Sequence, residues 1–150
     1  MTHLTCPHCG ASLIGVEQCR DYFDGCLEKE FVDPGYGAVH HLTVPAYMLQ
    51  HPDALSERGW RESRNVLAAF LIEGKTPAQV RAQIRVGSRD GLDSGRRSWS
   101  LTKGPKLRLP QSIQWTRTIA QVDRSSAATY CRDIEIWARA VLVDVEREQF

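Results

Sequence analysis

Four of this chain's five cysteines fall within its first 26 residues. Two of them, Cys6 and Cys9, sit in the run Cys6-Pro7-His8-Cys9-Gly10. A Cys-x-x-Cys-Gly turn aims two thiolates at one point and leaves backbone amides free to donate to the sulfurs, which is the geometry of a zinc knuckle. An odd cysteine count argues against a complete disulfide framework, and residues 1–10 contain no apolar signal core. The thiols are therefore expected to be reduced, in a cytoplasmic protein. The same four-residue motif also occurs in thiol oxidants. There the first cysteine follows a strand of a βαβ unit, and only five residues precede Cys6 here, too few for that unit.

A four-coordinate site needs two more ligands. The candidates are Cys19, Cys26, His3, His8, His40, His41 and His51. Cys19 and Cys26 lie on one predicted helix, about 10 Å apart, so they cannot bind one ion together. His40 and His51 are separated by roughly 16 Å if their helix is continuous, and they exclude one another in the same way. If the first two helices form an antiparallel hairpin about Pro34, position 51 comes beside position 19, and position 40 comes near position 28. Cys19 then pairs with His51, or Cys26 with His40; Cys19 is nearer in sequence to the knuckle and starts its helix, which favours zinc on Cys6, Cys9, Cys19 and His51, with His40 as the alternative fourth ligand. Cys26 and Cys131 read as core thiols. His40 reads as a partner of Glu30, and His41 as solvated. Were His51 not a ligand, the three cysteines plus water would make a catalytic site, with Glu17 or His8 as base.

Apolar spacing predicts a mainly α fold. A helix is expected over Glu17–Phe31, with the stripe Cys19, Tyr22, Phe23, Cys26 and Leu27. A second runs to about Gln50, capped by Thr43 or starting near Val39, with Pro45 in its first turn. A third spans Ser56–Glu73, capped by Ser56 and stopped by Gly74. A fourth, from Thr76-Pro77 to about Val86, is followed by a further turn over Thr118–Val122. The last helix, capped by Ser125 or Ser126, carries Tyr130, Ile134, Trp137, Val141 and Val145 and reads as the main core helix. With 150 residues, 42% hydrophobic and 25% charged, the chain is expected to be one domain over 1–150. Within it, 1–52 is the metal-binding knuckle and helical hairpin, 87–112 a long basic loop containing a small β-hairpin near 97–110, and 125–150 the C-terminal core helix.

Charge is uneven. Residues 1–74 carry 5 Lys/Arg against 10 Asp/Glu, residues 75–117 carry 10 against 2, and residues 118–150 carry 4 against 6. The middle strip, with Arg96, Arg97, Lys103 and Lys106, could contact nucleic-acid phosphates, with Trp99 and Trp115 stacking on bases. No apolar run approaches the ~18 residues of a membrane span. There is no phosphate-binding glycine loop, nucleophile elbow or paired carboxylate. Three functions follow from the residues. The first is a zinc-stabilised, non-enzymatic binding or regulatory module of unknown partner. The alternatives are a small metal-dependent hydrolase and a nucleic-acid binder acting through 75–117. Whether the chain is an enzyme stays open at this point.

Cys6-Pro7-His8-Cys9-Gly10, Cys19, Glu30, Asp33-Pro34, Tyr36-Gly37, Val39-His40, Leu42-Thr43-Val44, Tyr47 and Gln50-His51-Pro52 together give the chain a further signature. It resembles a bacterial family of about this size known only as a domain of unknown function. The likeness resumes more weakly over Trp115–Val122 and at Trp137-Ala138. It implies a mostly helical cytoplasmic protein with a metal site at Cys6, Cys9, Cys19 and one of His40 or His51. The chain departs from the family's pattern in having Pro45 where an acidic residue is usual, and in its basic middle segment.

Overall fold

Gly10, at φ +80°, turns the chain after Cys9, a conformation costly for residues with a side chain. The Gly10 amide donates to the Cys6 carbonyl at 2.9 Å, and the Cys6 amide to the Ala11 carbonyl at 2.9 Å. This turn joins β1 (Leu4–Thr5) to β2 (Ser12–Leu13), an antiparallel ladder pairing Leu4 with Leu13 and Thr5 with Ser12. The computed structural model describes residues 4–13, 19–52, 55–88 and 113–147. Apart from this short ladder the described residues are mainly α, as the sequence predicts. The expected hairpin near 97–110 and the residues Arg96, Arg97, Trp99, Lys103 and Lys106 lie outside them.

Helix α1 (Cys19–Val32) buries Cys19, Phe23, Cys26 and Glu30 along one face. Asp33 then caps the single turn α2 (Pro34–Gly37), its Oδ1 accepting from the Gly35 amide at 2.8 Å. Helix α3 (His40–Gln50) begins near Val39, the earlier of the two expected starts. Thr43 is therefore not its cap. It is buried inside the helix, and Pro45 lies in the second turn rather than the first. Helix α4 (Glu57–Leu71) has Ser56 as its cap, accepting from the Gly59 amide at 3.0 Å, and Gly74 follows it at φ +69°. Helix α5 (Pro77–Ser88) opens on a reciprocal box between Thr76 and Gln79 and runs two residues past the expected end. A 3-10 turn at Ile119–Gln121 is boxed by Thr118 and Gln121. The last helix, α6 (Ala127–Arg147), is capped by Ser126, which accepts from the Thr129 amide at 3.3 Å. No helix of the described residues is long and apolar enough to cross a membrane.

Helix α6 is the core helix its pattern predicts. Tyr130, Ile134, Trp137, Ala138, Val141, Leu142 and Val145 are all buried. They meet Leu49 of α3 and Trp60 and Leu67 of α4 in one cluster. The two tryptophans also satisfy their polar ends. Trp60 Nε1 donates to the Leu49 carbonyl at 3.1 Å, and Trp137 Nε1 to Gln50 Oε1 at 3.1 Å. Gln50 in turn donates to the Arg117 carbonyl at 2.7 Å. That bond holds the strap 113–126 over the bundle. Buried Asp144 accepts from the Thr116 amide at 2.8 Å and hydroxyl at 3.0 Å, pinning the same strap.

Glu30 is a buried acid with three side-chain partners, its own side chain 2% exposed. Thr43 donates to its Oε2 at 2.6 Å, the Tyr130 hydroxyl donates to the same oxygen, and His40 Nδ1 meets Oε1 at 2.8 Å. Burial, reinforced by this bond, raises the Tyr130 phenol well above its usual range, so it stays a donor. Helices α1, α3 and α6 are thereby joined at one carboxylate. Tyr130→Phe should cost about 1–2 kcal/mol in urea unfolding, and Glu30→Leu about 2–3 kcal/mol, because it strands the buried Tyr130 hydroxyl while Thr43 keeps the Val39 carbonyl as acceptor. Unfolding free energies equal to wild type in both variants would show that the carboxylate does not join the helices.

Candidate metal centre

The knuckle brings Cys6 and Cys9 to one end of the helical hairpin. Cys19 stands there as the first residue of α1, and His51 as the residue that ends α3. The three Sγ atoms and a His51 ring nitrogen all lie within 4.8 Å of one another. Cys9 Sγ is 3.5 Å from Cys19 Sγ, and Cys6 Sγ is 3.5 Å from His51 Nε2. Cys9 and Cys19 are 4% and 5% exposed, His51 is buried and Cys6 half-buried.

The antiparallel course of α1 and α3 brings His51, and not His40, beside the cysteines. Along α1 and α3 the partners run in opposite directions. Cys19 lies at the end where His51 sits, Phe23 stacks on Tyr47 with centroids 3.8 Å apart, and Glu30 meets His40. His40 is thus held at the far end of the hairpin, its side chain 60% exposed, on the buried carboxylate. His41 differs from its expected solvated state. Its ring packs edge-on against Phe70 at 4.6 Å, and burial, with His40 adding, lowers its pKa. Cys26 is fully buried, as expected of a core thiol. Cys131 is half-exposed and donates to the Gly35 carbonyl at 3.2 Å, so it is not the core residue its stripe suggests. His3 and the proposed base Glu17 lie outside the described residues.

Two contacts orient the His51 ring. Its Nδ1 is 2.9 Å from the Tyr47 carbonyl, one helical turn back. A carbonyl only accepts, so Nδ1 carries the proton and the Nε2 lone pair faces the sulfurs. The Tyr47 ring stacks on His51 at 4.1 Å and on Phe23 behind it, making an aromatic column. Burial first, then the nearby Cys19 sulfur, pushes the Tyr47 phenol up to about 12. On the knuckle side the Ala11 amide donates to Cys9 Sγ at 3.4 Å. The hydrogen bond with Cys19 lowers the Cys9 thiol against the opposing effect of its burial, and the Ala11 amide adds to the lowering. Cys19 is correspondingly raised. The pair thus favours a single proton shared between two closely spaced sulfurs.

Sequence reasoning missed Tyr47 and Trp115 as supports of this site. The i to i+4 spacing of Tyr47 and His51 was the available signal for the first. Nothing local pointed to the second. Its indole N–H donates to the His8 carbonyl at 3.1 Å, tying the strap to the knuckle across 107 residues of sequence. Beside the knuckle a cleft of about 1040 Å³ is lined by Cys6, His8, Gln50, Trp115, Thr116 and Gln121, among others. Several of its polar groups are already used in holding the strap.

No curated protein and no solved structure matches the chain. A family model described as "Family of unknown function (DUF5946)" matches residues 4–146. That span runs from the β1 strand before the knuckle almost to the end of α6, and the chain belongs to this family.

Proposed function

We propose that Cys6, Cys9, Cys19 and His51 hold one structural zinc that clamps the knuckle to the open end of the α1–α3 hairpin. The protein is then a zinc-stabilised, non-enzymatic binding or regulatory module. The observation that carries this reading is the convergence of the four donor atoms within 4.8 Å. A tetrahedral zinc, with bonds of about 2.3 Å to sulfur and about 2.0–2.1 Å to nitrogen, sets its ligands roughly 3.5–3.8 Å apart. The two 3.5 Å separations, sulfur to sulfur and sulfur to nitrogen, lie at the near end of that range. Soft thiolates select zinc over the harder divalent cations. The Nδ1–H of His51 on a backbone carbonyl is the outer contact that zinc-binding imidazoles use. Four protein donors fill a tetrahedron and leave no vertex for an activated water, which favours a structural over a hydrolytic metal.

Purified protein kept from chelators should contain about one equivalent of zinc per chain by plasma mass spectrometry. A reproducible value near zero with free thiols intact would refute the proposal. In small finger peptides zinc is worth on the order of 10 kcal/mol. Here most of the core lies away from the cluster, so Cys6→Ser or chelation should lower the melting temperature while far-ultraviolet dichroism stays helical.

The two histidines separate cleanly. His51→Ala and Cys19→Ala should each release zinc or speed its loss to a colorimetric chelator. His40→Ala should keep the metal and cost roughly 1–2 kcal/mol through the lost bond to Glu30. Zinc lost from His40→Ala and kept by His51→Ala would contradict the ligand assignment.

A further inference from the structure

On the face of α1 that carries Gly25, Glu28, Lys29 and Val32, the chain builds a second feature, independent of the metal cluster. Arg124, in the strap just before α6, has its guanidinium carbon 3.9 Å from the centroid of the Tyr22 ring. Its Nη1 rests over Gly25, where a β-carbon would come within 2.4 Å of it. Glycine in a helix interior weakens the helix relative to alanine. Here its bare backbone makes the seat for one side of the guanidinium, while the tyrosine supplies the other. Lys29 Nζ lies 5.2 Å from the centroid of the Tyr36 ring, and the Tyr36 hydroxyl donates to the Arg124 carbonyl at 3.0 Å. The two cations line one groove of about 640 Å³ together with Val32, which is 75% exposed.

Among the described residues neither cation forms an ion pair. A planar guanidinium held between a ring and a glycine is pre-organised, so little freedom is lost when its fork meets a carboxylate. Glu28 and Asp33 stand on the same groove, and Asp33 Oδ1 is taken by the Gly35 amide. With two carboxylates against two cations the groove has no net charge to hold a dianion such as phosphate, whereas a monocarboxylate needs only the Arg124 fork and the neighbouring Lys29 ammonium. The exposed Val32 and the Tyr36 ring offer an apolar wall. We propose that this groove binds an organic monocarboxylate, its carboxylate on Arg124 and Lys29 and its apolar body against Val32 and Tyr36. A free small acid and the C-terminal carboxylate of a peptide share this chemistry.

Isotope-labelled full-length protein, titrated with phenylpropionate, should show saturable shifts at the Gly25 and Tyr36 amides and at Arg124 Nε–H. The neutral phenylpropionamide should leave them in place, and inorganic phosphate should bind more weakly. A tripeptide ending in a free phenylalanine carboxylate, run beside its C-terminal amide, separates the sources. Tighter binding of the peptide acid supports the groove with a protein C-terminus as ligand, and tighter binding of phenylpropionate supports it with a small acid. Arg124→Gln should weaken phenylpropionate about tenfold, the worth of a charge-assisted pair. Gly25→Ala should weaken it similarly by displacing the guanidinium, while its melting temperature holds or rises because alanine favours the helix. Shifts that never saturate, an equal response to the amide, or phosphate binding more tightly would overturn the proposal. So would unchanged affinity in Gly25→Ala with a lowered melting temperature, since Arg124 would then serve only to tie the strap to α1.

Discussion

The carboxylate of Glu30, buried at the far end of α1, sets the register of α1 against α3, and the Cys/His cluster at the other end depends on that register. An ionisable group taken out of water is tolerated only when donors surround it. Thr43, Tyr130 and His40 supply them. Sliding α3 by one turn along α1 would strand those donors and the carboxylate together. The same slide would carry His51 about 5 Å from its place opposite Cys19, since a helical turn rises about 5.4 Å. The hairpin therefore has a polar lock at its closed end and a cluster of soft donors at its open end, with the stacked Phe23–Tyr47 pair between them.

A second constraint comes from far along the chain. The strap 113–126 is fastened by buried Asp144, by the Gln50 amide and by the Tyr22 and Tyr36 hydroxyls, which donate to the Val122 and Arg124 carbonyls. It reaches the knuckle through Trp115 and the α1 surface through Arg124. One segment without extended regular structure thus borders both the cluster and the cationic groove. Its backbone carbonyls are satisfied by side chains of the bundle, which lets an irregular strap lie against a helical core.

The cluster also shows how a short turn gains chemical strength from its neighbours. A Cys-x-x-Cys loop alone presents two thiols. Cys19 adds a hydrogen-bonded third sulfur beside Cys9, and the end of α3 adds an imidazole whose tautomer is set by its own helix. The four groups could hold a metal ion, because their ligand atoms converge within 4.8 Å from buried or half-buried positions. Removing any one of them leaves the others facing an incomplete shell.

Local signals in the sequence were enough to determine the mainly α fold, the caps Ser56 and Thr76, the stop at Gly74 and the core stripe of α6, and narrowed the cap of α6 to Ser125 or Ser126. Each depends on residues within a turn or two of one another, where side-chain type and helical period act directly. The grouping of Cys6, Cys9, Cys19 and His51 was also legible, because rise per residue separates Cys19 from Cys26 and His40 from His51, and the break at Pro34 suggests an antiparallel return. Beyond that reach only the tertiary structure decided. Thr43 looked like a cap, but the carboxylate of Glu30 thirteen residues earlier draws its hydroxyl inward. Cys131 sits on an apolar stripe yet lies half-exposed beside Gly35, because α2 covers only part of that face. Trp115 and Arg124 owe their places to contacts about a hundred residues away in sequence, with the knuckle and with Tyr22 and Gly25. Periodicity carries no record of such contacts, since it encodes which face of a helix is buried and not what is buried against it.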